Sequence, residues 1–177
     1  MIPFDHYEAR IDAVRALHPD MPYANVMLLR LVTHLARGIQ EHLDQLLASH
    51  GLTSTAWSVL MSIYSAPEAT DNPSRVSQAV CLSRPHMTRL TDELVAGGWV
   101  ERVPSTTDRR SIEIRMTADG LGRVRALFPE VWALYEDLTP AGGPEAVSAL
   151  ADCLRGWTRL MEQQRKDGAN AQIGSPE

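Results

Sequence analysis

Between Tyr23 and Ser49 the chain contains no proline and a single glycine, while Leu28, Leu31, Val32, Leu35, Ile39, Leu43 and Leu46 recur at steps of three and four. That spacing predicts one long helix with an apolar stripe along one side. Gly51 suits the left-handed residue that closes such a helix. Pro3, Pro19 and Pro22 interrupt the segment before it, so residues 1–22 read as an N-terminal arm. Thr53 can cap the next helix, which turns Trp57, Leu60, Met61 and Tyr64 inward and stops before Pro67. The polar run Glu68 to Asn72 reads as a loop. Asn72 followed by Pro73 is a helix start, because Asn caps free amides and Pro suits the first turn; this short helix should reach about Val80. Ser83 can cap a further helix with Met87, Leu90, Leu94 and Val95 inward, ending at Gly97-Gly98.

After the glycines the period changes from helical to alternating. Trp99 to Val103 and Ile112 to Met116 read as strands, the second with Ile112, Ile114 and Met116 on one face and Glu113 and Arg115 on the other. Pro104 to Arg110 between them is polar and charged, which makes a β-hairpin with an exposed, arginine-tipped loop. Two helices follow, Ala118 to about Leu138 and Glu145 to about Gln164, joined by residues 139–144; Pro129 is expected to kink or divide the first. Small and polar residues dominate from Lys166 on, so 166–177 is expected to be a disordered tail. The fold class is mainly α with a small β-hairpin. At 177 residues we read one architectural unit.

The middle of this order can do a particular physical job. A capped helix of about three and a half turns fits the major groove of DNA, where each base pair shows its own donors, acceptors and methyl groups. Its outward side must be polar, and Arg84, His86, Thr88, Arg89 and Asp92 lie away from the apolar face. The net charge of −5 argues against a polyanionic partner until it is resolved along the chain. Residues 84–125 carry eight arginines against six acids, a local +2, and the remainder carries −7. The positive excess therefore sits on the helix and hairpin.

Other chemistries lack their parts. No Gly-rich phosphate loop, nucleophile elbow or Cys/His cluster is present, so we expect no enzyme, no cofactor and no metal. His34, His42 and His50 are eight residues apart, a step that rotates about 80° on a helix and spreads them off a common face. No stretch approaches the roughly 20 apolar residues of a membrane span, and Asp5 and Glu8 stand where a secretory signal would be basic; we expect a cytoplasmic protein with no membrane partner. Cys81 and Cys153 read as small buried apolar residues in a reducing compartment, with a thiol switch as the alternative.

Specific strings sharpen this reading. Thr88-Arg89-Leu90 in the capped helix, Gly98-Trp99-Val100-Glu101-Arg102 in the first strand, Asp108-Arg109-Arg110 in the hairpin loop and Met116-Thr117-Ala118-Asp119-Gly120 after it together resemble the MarR family of winged helix-turn-helix regulators, over about residues 23–165. Met116 stands where that family usually has Leu, Gly97 adds a second glycine before Trp99, and the loop begins Ser-Thr-Thr-Asp rather than Pro-x-Asp.

The resemblance implies a homodimer, with a dimerisation helix over 23–50, a winged helix-turn-helix over 51–120 and C-terminal dimerisation helices over 121–165. It implies that Arg84, His86 and Arg89 read bases or hold phosphates, and that Ser83 and Thr88 hold phosphates. In the wing, Asp108 shapes the loop and Arg110 enters the minor groove, with Arg109 beside it in the DNA-binding set. Arg102, Arg115, Arg123 and Arg125 are taken as structural or general electrostatic contributors. The implied partner is a double-stranded, pseudo-palindromic operator with half-sites about one helical turn apart. The implied activity is repression relieved by a small aromatic or anionic effector, for which Arg30, His34 and Trp57 are the candidate binding residues. The competing readings are a redox-responsive regulator using Cys81 or Cys153, and a winged-helix module that binds protein.

Overall fold

The computed structural model describes residues 3–105, 111–139 and 142–173. Thr53 caps α3 (Ser54–Tyr64) by accepting from the Ala56 amide at 3.1 Å, and Asn72 caps α4 (Pro73–Ala79) by accepting from the Ser74 amide at 2.8 Å. The long helix α2 (Tyr23–Ala48) closes on Gly51, whose φ of +68° only glycine adopts freely. α5 (Arg84–Ala96) follows the α4 turn, and α6 (Ala118–Leu138) and α7 (Gly143–Ile173) follow the hairpin.

The hairpin pairs β2 (Val100–Pro104) with β3 (Ile112–Met116) in antiparallel register from Val100 opposite Met116 to Pro104 opposite Ile112. The residues read as a plain loop contain a third strand, β1 (Thr70–Asp71), which pairs Thr70 with Arg115 and Asp71 with Ile114. Two residues are too few to show an alternation. The sheet order is β1-β3-β2.

Packed around this sheet is a single core. Leu43 and Leu47 of α2, Trp57, Leu60 and Ile63 of α3, Val76 of α4, Met87, Leu90 and Leu94 of α5, Ile114 and Met116 of β3, and Val124, Leu127 and Val131 of α6 are all buried in it.

Several expectations need correction. Within the N-terminal arm a helix went unpredicted: Phe4–Leu17 form α1, with Pro3 at its start and Pro19 and Pro22 beyond its end. Its apolar positions are scattered and only Ile11 is buried, so no stripe announced it. It is fastened to α2 by the Tyr23 hydroxyl, which donates to Asp12 at 2.8 Å, and by the Arg15 guanidinium 4.5 Å over the Tyr23 ring. The Asp12 carboxylate raises the Tyr23 pKa by holding the phenol proton.

Pro129 does not divide α6, which runs unbroken through it; Pro129 is on the exposed side, with buried Leu127 and Val131 flanking it. Nor does the chain become irregular at Lys166, since α7 continues to Ile173 with no proline in that stretch. Residues 174–177 of the expected tail lie outside the described residues. The described chain forms two compact units, dividing between Leu134 and Tyr135, rather than one. Cys81 and Cys153 are both exposed, not buried.

The α2 stripe is also not uniformly covered. Its C-terminal member Leu43 enters the core, with neighbouring Leu47, and Leu46 packs against it, but Leu28, Leu31, Leu35 and Ile39 are exposed. Val147, Leu150, Leu154, Leu160 and Met161 of α7 are exposed as well. Among the described residues no helix is long and apolar enough to cross a membrane.

Candidate nucleic-acid interface

The turn from α4 to α5 is sharp because Cys81 takes a left-handed conformation, φ 55°, and the Leu82 amide bonds back to the Ser77 carbonyl at 2.8 Å. α5 then presents two unlike sides. Met87, Leu90, Thr91 and Leu94 are buried, and the Thr91 hydroxyl satisfies itself on the Met87 carbonyl at 2.8 Å. Ser83, Arg84, Thr88 and Arg89 are exposed and His86 is half-buried.

Ser83 does not cap α5 with its side chain. Pro85 removes one of the two amides an N-cap oxygen can reach, and the Ser83 hydroxyl does not take up the other, that of His86. The Ser83 hydroxyl is thus unused by the helix. Thr88 donates its hydroxyl proton back to the Arg84 carbonyl at 3.0 Å, so it meets an outside group first as an acceptor. Arg89 pairs with Glu93 only loosely, at 3.8 Å with both side chains mostly exposed. A groove of about 330 Å³ opens between α4, α5 and the hairpin, lined by Ser74, Ser77, Arg84, Thr88 and Arg102 among others.

The hairpin is fixed to the helices by polar contacts. Arg102 of β2 donates to Asp92 of α5 at 2.6 Å, and Asn72, the α4 cap, donates to the Ser111 hydroxyl at 3.1 Å. Across the strands Arg115 donates through two nitrogens to Glu101 at 2.8 and 2.9 Å, and the Ser105 hydroxyl donates to Glu113 at 2.8 Å. The tip residues Asp108, Arg109 and Arg110 lie outside the described residues.

The glycines of the return explain themselves. A Cβ on Gly120 would stand 2.1 Å from the Trp99 carbonyl oxygen, so this close passage of α6 over β2 requires glycine. Thr117 caps the same helix by accepting from the Gly120 amide at 2.9 Å while donating to the Gly98 carbonyl at 2.7 Å. Gly98, at φ +71°, supplies the left-handed end of α5, and a Cβ on Gly97 would press to 2.9 Å on the Trp99 indole. Arg123 lies 3.4 Å over the Trp99 ring and donates to the Gly97 carbonyl at 2.9 Å. Arg102, Arg115 and Arg123 thus take structural parts, as expected.

This arrangement is shared with known proteins. The MarR family model matches residues 52–112, from before the α3 cap to the first residue of β3. The chain is 29% identical to the transcriptional repressor MprA of Escherichia coli over 151 residues, which is 85% of this chain and 86% of MprA. Its fold superimposes on apo MarR from E. coli with a TM-score of 0.64 at 27% identity, covering 73% of this chain and 95% of that one. Over this region the chain is homologous to the MarR-family winged helix-turn-helix regulators. A single-site mutant of E. coli MarR solved in complex with operator DNA is similar at a TM-score of 0.67 and 25% identity, covering 80% of this chain and 95% of that one. In MarR terms, α4 and α5 are the helix-turn-helix and β2 and β3 the wing.

The effector residues are only partly brought together. Arg30 and His34 line one cleft on α2, but Trp57 is 4% exposed and packs edge-on to Phe128, with centroids 5.9 Å apart. Trp57 belongs to the α3 face that meets the core and is no wall of that cleft. The sequence reading missed Asn72, Ser111 and Asp92 as the fasteners of the wing; each contact joins residues ten to thirty-nine apart in sequence, beyond any local pattern.

Proposed function

We propose that this chain is a homodimeric DNA-binding transcriptional regulator that lays α5 in the major groove and its wing against the adjacent minor groove. The observation that carries the reading is the two-sided α5. Its first two turns expose Arg84, Thr88 and Arg89 with no acid among residues 84–91, while Met87, Leu90 and Leu94 anchor the opposite side. Arg84, Arg89 and half-buried His86 then face base edges or phosphates, and the uncommitted Ser83 hydroxyl reaches a phosphate. Arg110, with Asp108 and Arg109, is proposed for the minor groove, where a narrow groove favours arginine.

Dimerisation is supported by the uncovered apolar residues of α2 and α7, which are too many for a solvated surface. A symmetric dimer reads a pseudo-palindromic operator with half-sites about one turn apart. The likeness to the repressor MprA supports repression; its relief by a small aromatic or anionic effector is part of the proposal.

The test is a mobility-shift titration on the intergenic DNA upstream of the protein's own gene. Wild-type protein should shift it, with Arg89→Ala about tenfold weaker and Arg110→Ala weakened with the dimer intact. Absence of a shift on any neighbouring promoter would point instead to a winged-helix module that binds protein.

A further inference from the structure

None of the residues assigned to DNA lies on α4, yet that helix carries one charge. Of Pro73–Ala79 only Arg75 is charged, and it lies outside the arginine-rich segment 84–125. Its side chain is 71% exposed, and its Nε lies 2.8 Å from Oδ1 of Asp71, whose side chain is only 17% exposed. A pair of two exposed side chains fixes little, but here one partner is held. Asp71 belongs to β1, where it pairs with Ile114 of β3, and the same Oδ1 accepts from the Asn72 amide at 2.7 Å. Asn72 in turn accepts from the Ser74 amide to cap α4 and donates to the hydroxyl of Ser111, the residue before β3. Arg75 is thus tied to the corner where α4, β1 and the wing meet.

A guanidinium offers five N–H donors in a rigid fork, of which one carboxylate occupies two at most. The exposed remainder is left for a second acceptor. Duplex geometry supplies one. With α5 in the major groove and the hairpin in the adjacent minor groove, one sugar-phosphate strand separates the two grooves and must cross the space between helix and hairpin. In this structure that space is the groove of about 330 Å³ walled by Ser74 and Ser77 of α4, Arg84 and Thr88 of α5 and Arg102 of β2. Arg75 follows Ser74 directly and is exposed, with the longest side chain on that helix.

We propose that Arg75 is a DNA-backbone contact, holding a phosphate of the strand that passes between α5 and the wing, and that Asp71 is its positioning residue. The contact rests on the regulator reading above, since it needs a duplex. It carries no sequence information of its own, because phosphate oxygens are alike at every base pair. Its use is in register. Asp71 and Asn72 hold Arg75 and the wing stem from one corner, so a phosphate engaged by Arg75 sets where the wing approaches the neighbouring groove.

The experiment is a fluorescence-anisotropy titration of the full chain, over a range of salt, on two duplexes: the intergenic DNA upstream of its own gene and a scrambled duplex of the same length. Arg75→Gln should weaken binding to both by about fivefold and lower the slope of log affinity against log salt by about one, leaving the ratio of the two affinities unchanged. Arg75→Lys keeps the charge and should keep the slope. Arg10→Gln, which removes an exposed charge of α1, should change neither affinity nor slope. Asp71→Asn should weaken binding by about threefold on its own and add nothing to Arg75→Gln. An unchanged slope in Arg75→Gln, or a changed affinity ratio, overturns the backbone contact. So does a loss of affinity matched by a lower urea midpoint, which would make the pair with Asp71 a stability element alone. Stronger binding by Asp71→Asn overturns the positioning role, because the carboxylate would then restrain the arginine rather than aim it. Weaker binding by Arg84→Ala with no effect of Arg75→Gln strikes the contact and leaves the regulator reading standing. A wild type that binds neither duplex strikes that reading and takes the contact with it.

Discussion

The winged helix-turn-helix with the core packed around it, here the reading head, and the helix stretches flanking it in sequence differ in what they leave unfinished. In the head, Val59, Leu60, Ile63, Val76 and Val124 are wholly shielded, the wing is fastened at Asp92 and Asn72, and no buried side-chain polar atom among the described residues lacks a partner. In α2, Leu35 is 59% exposed, and in α7 Leu160 is 56% exposed. A closed core specifies its own fold; an open apolar stripe specifies a partner. The difference teaches that the core around the winged helix-turn-helix is complete within one chain, whereas α2 and α7 leave apolar surface uncovered.

The largest effect should come from attacking the open stripe. Leu31→Glu combined with Leu35→Glu removes apolar contact on the order of 4 kcal/mol per protomer and places charge in the interface. Sedimentation should report a monomer with operator affinity lowered by roughly two orders of magnitude or more, while denaturant unfolding of the head changes by less than about 0.5 kcal/mol. A variant that stays dimeric takes α2 out of the interface. One whose head unfolds with it erases the contrast.

Next in size is a change inside the closed region. Gly120→Ala drives a Cβ toward the Trp99 carbonyl, and neither backbone can move without disturbing the helix cap at Thr117. A loss of about 3 kcal/mol is expected in urea unfolding. Gly122→Ala, two residues on and facing open space, should be neutral or stabilising by up to about 1 kcal/mol. Equal outcomes for the two would mean that the close passage is not what glycine serves.

The same contrast decides what was legible beforehand. Elements that send several apolar residues into one core showed their period plainly, which is why α3, α5 and α6 and the paired strands β2 and β3 fall where the pattern puts them, to within a residue or two. α1 has one buried residue and no stripe, so its helix left no mark beyond the absence of an internal proline. The polar end of α7 looked disordered because composition reports solvation, and a solvated helix and a solvated coil share it. At the site, the exposed side of α5 followed from its buried side. Ser83 stands at the N-cap without making a side-chain cap, a hydroxyl orientation that residue type does not report. Trp57 misled because an aromatic residue on an amphipathic helix looks alike whether it faces core or cleft.

Smaller in effect is Arg84→Ala. It should leave unfolding unchanged and weaken operator binding by about tenfold, reducing the slope of log affinity against log salt by about one if the guanidinium neutralises a phosphate. An unchanged slope with relaxed sequence preference would move Arg84 from the backbone to a base edge, which sharpens the assignment rather than removing it.

The smallest effect distinguishes a fastener from a contact. Asp92 and Arg102 are both substantially exposed, so their pair at 2.6 Å should contribute less than about 1 kcal/mol to stability. If it acts by holding the wing against α5, then Asp92→Asn and Arg102→Gln should each weaken operator binding by about threefold, with the double variant no worse than either single one. The alternative has the opposite sign at one position. Were Arg102 a phosphate contact in its own right, removing the Asp92 charge would free it and strengthen binding, while Arg102→Gln alone would lower the salt slope. A mobility-shift cycle over the four proteins at two salt concentrations separates these cases, because only a shared geometric role makes two opposite charges fail in the same direction.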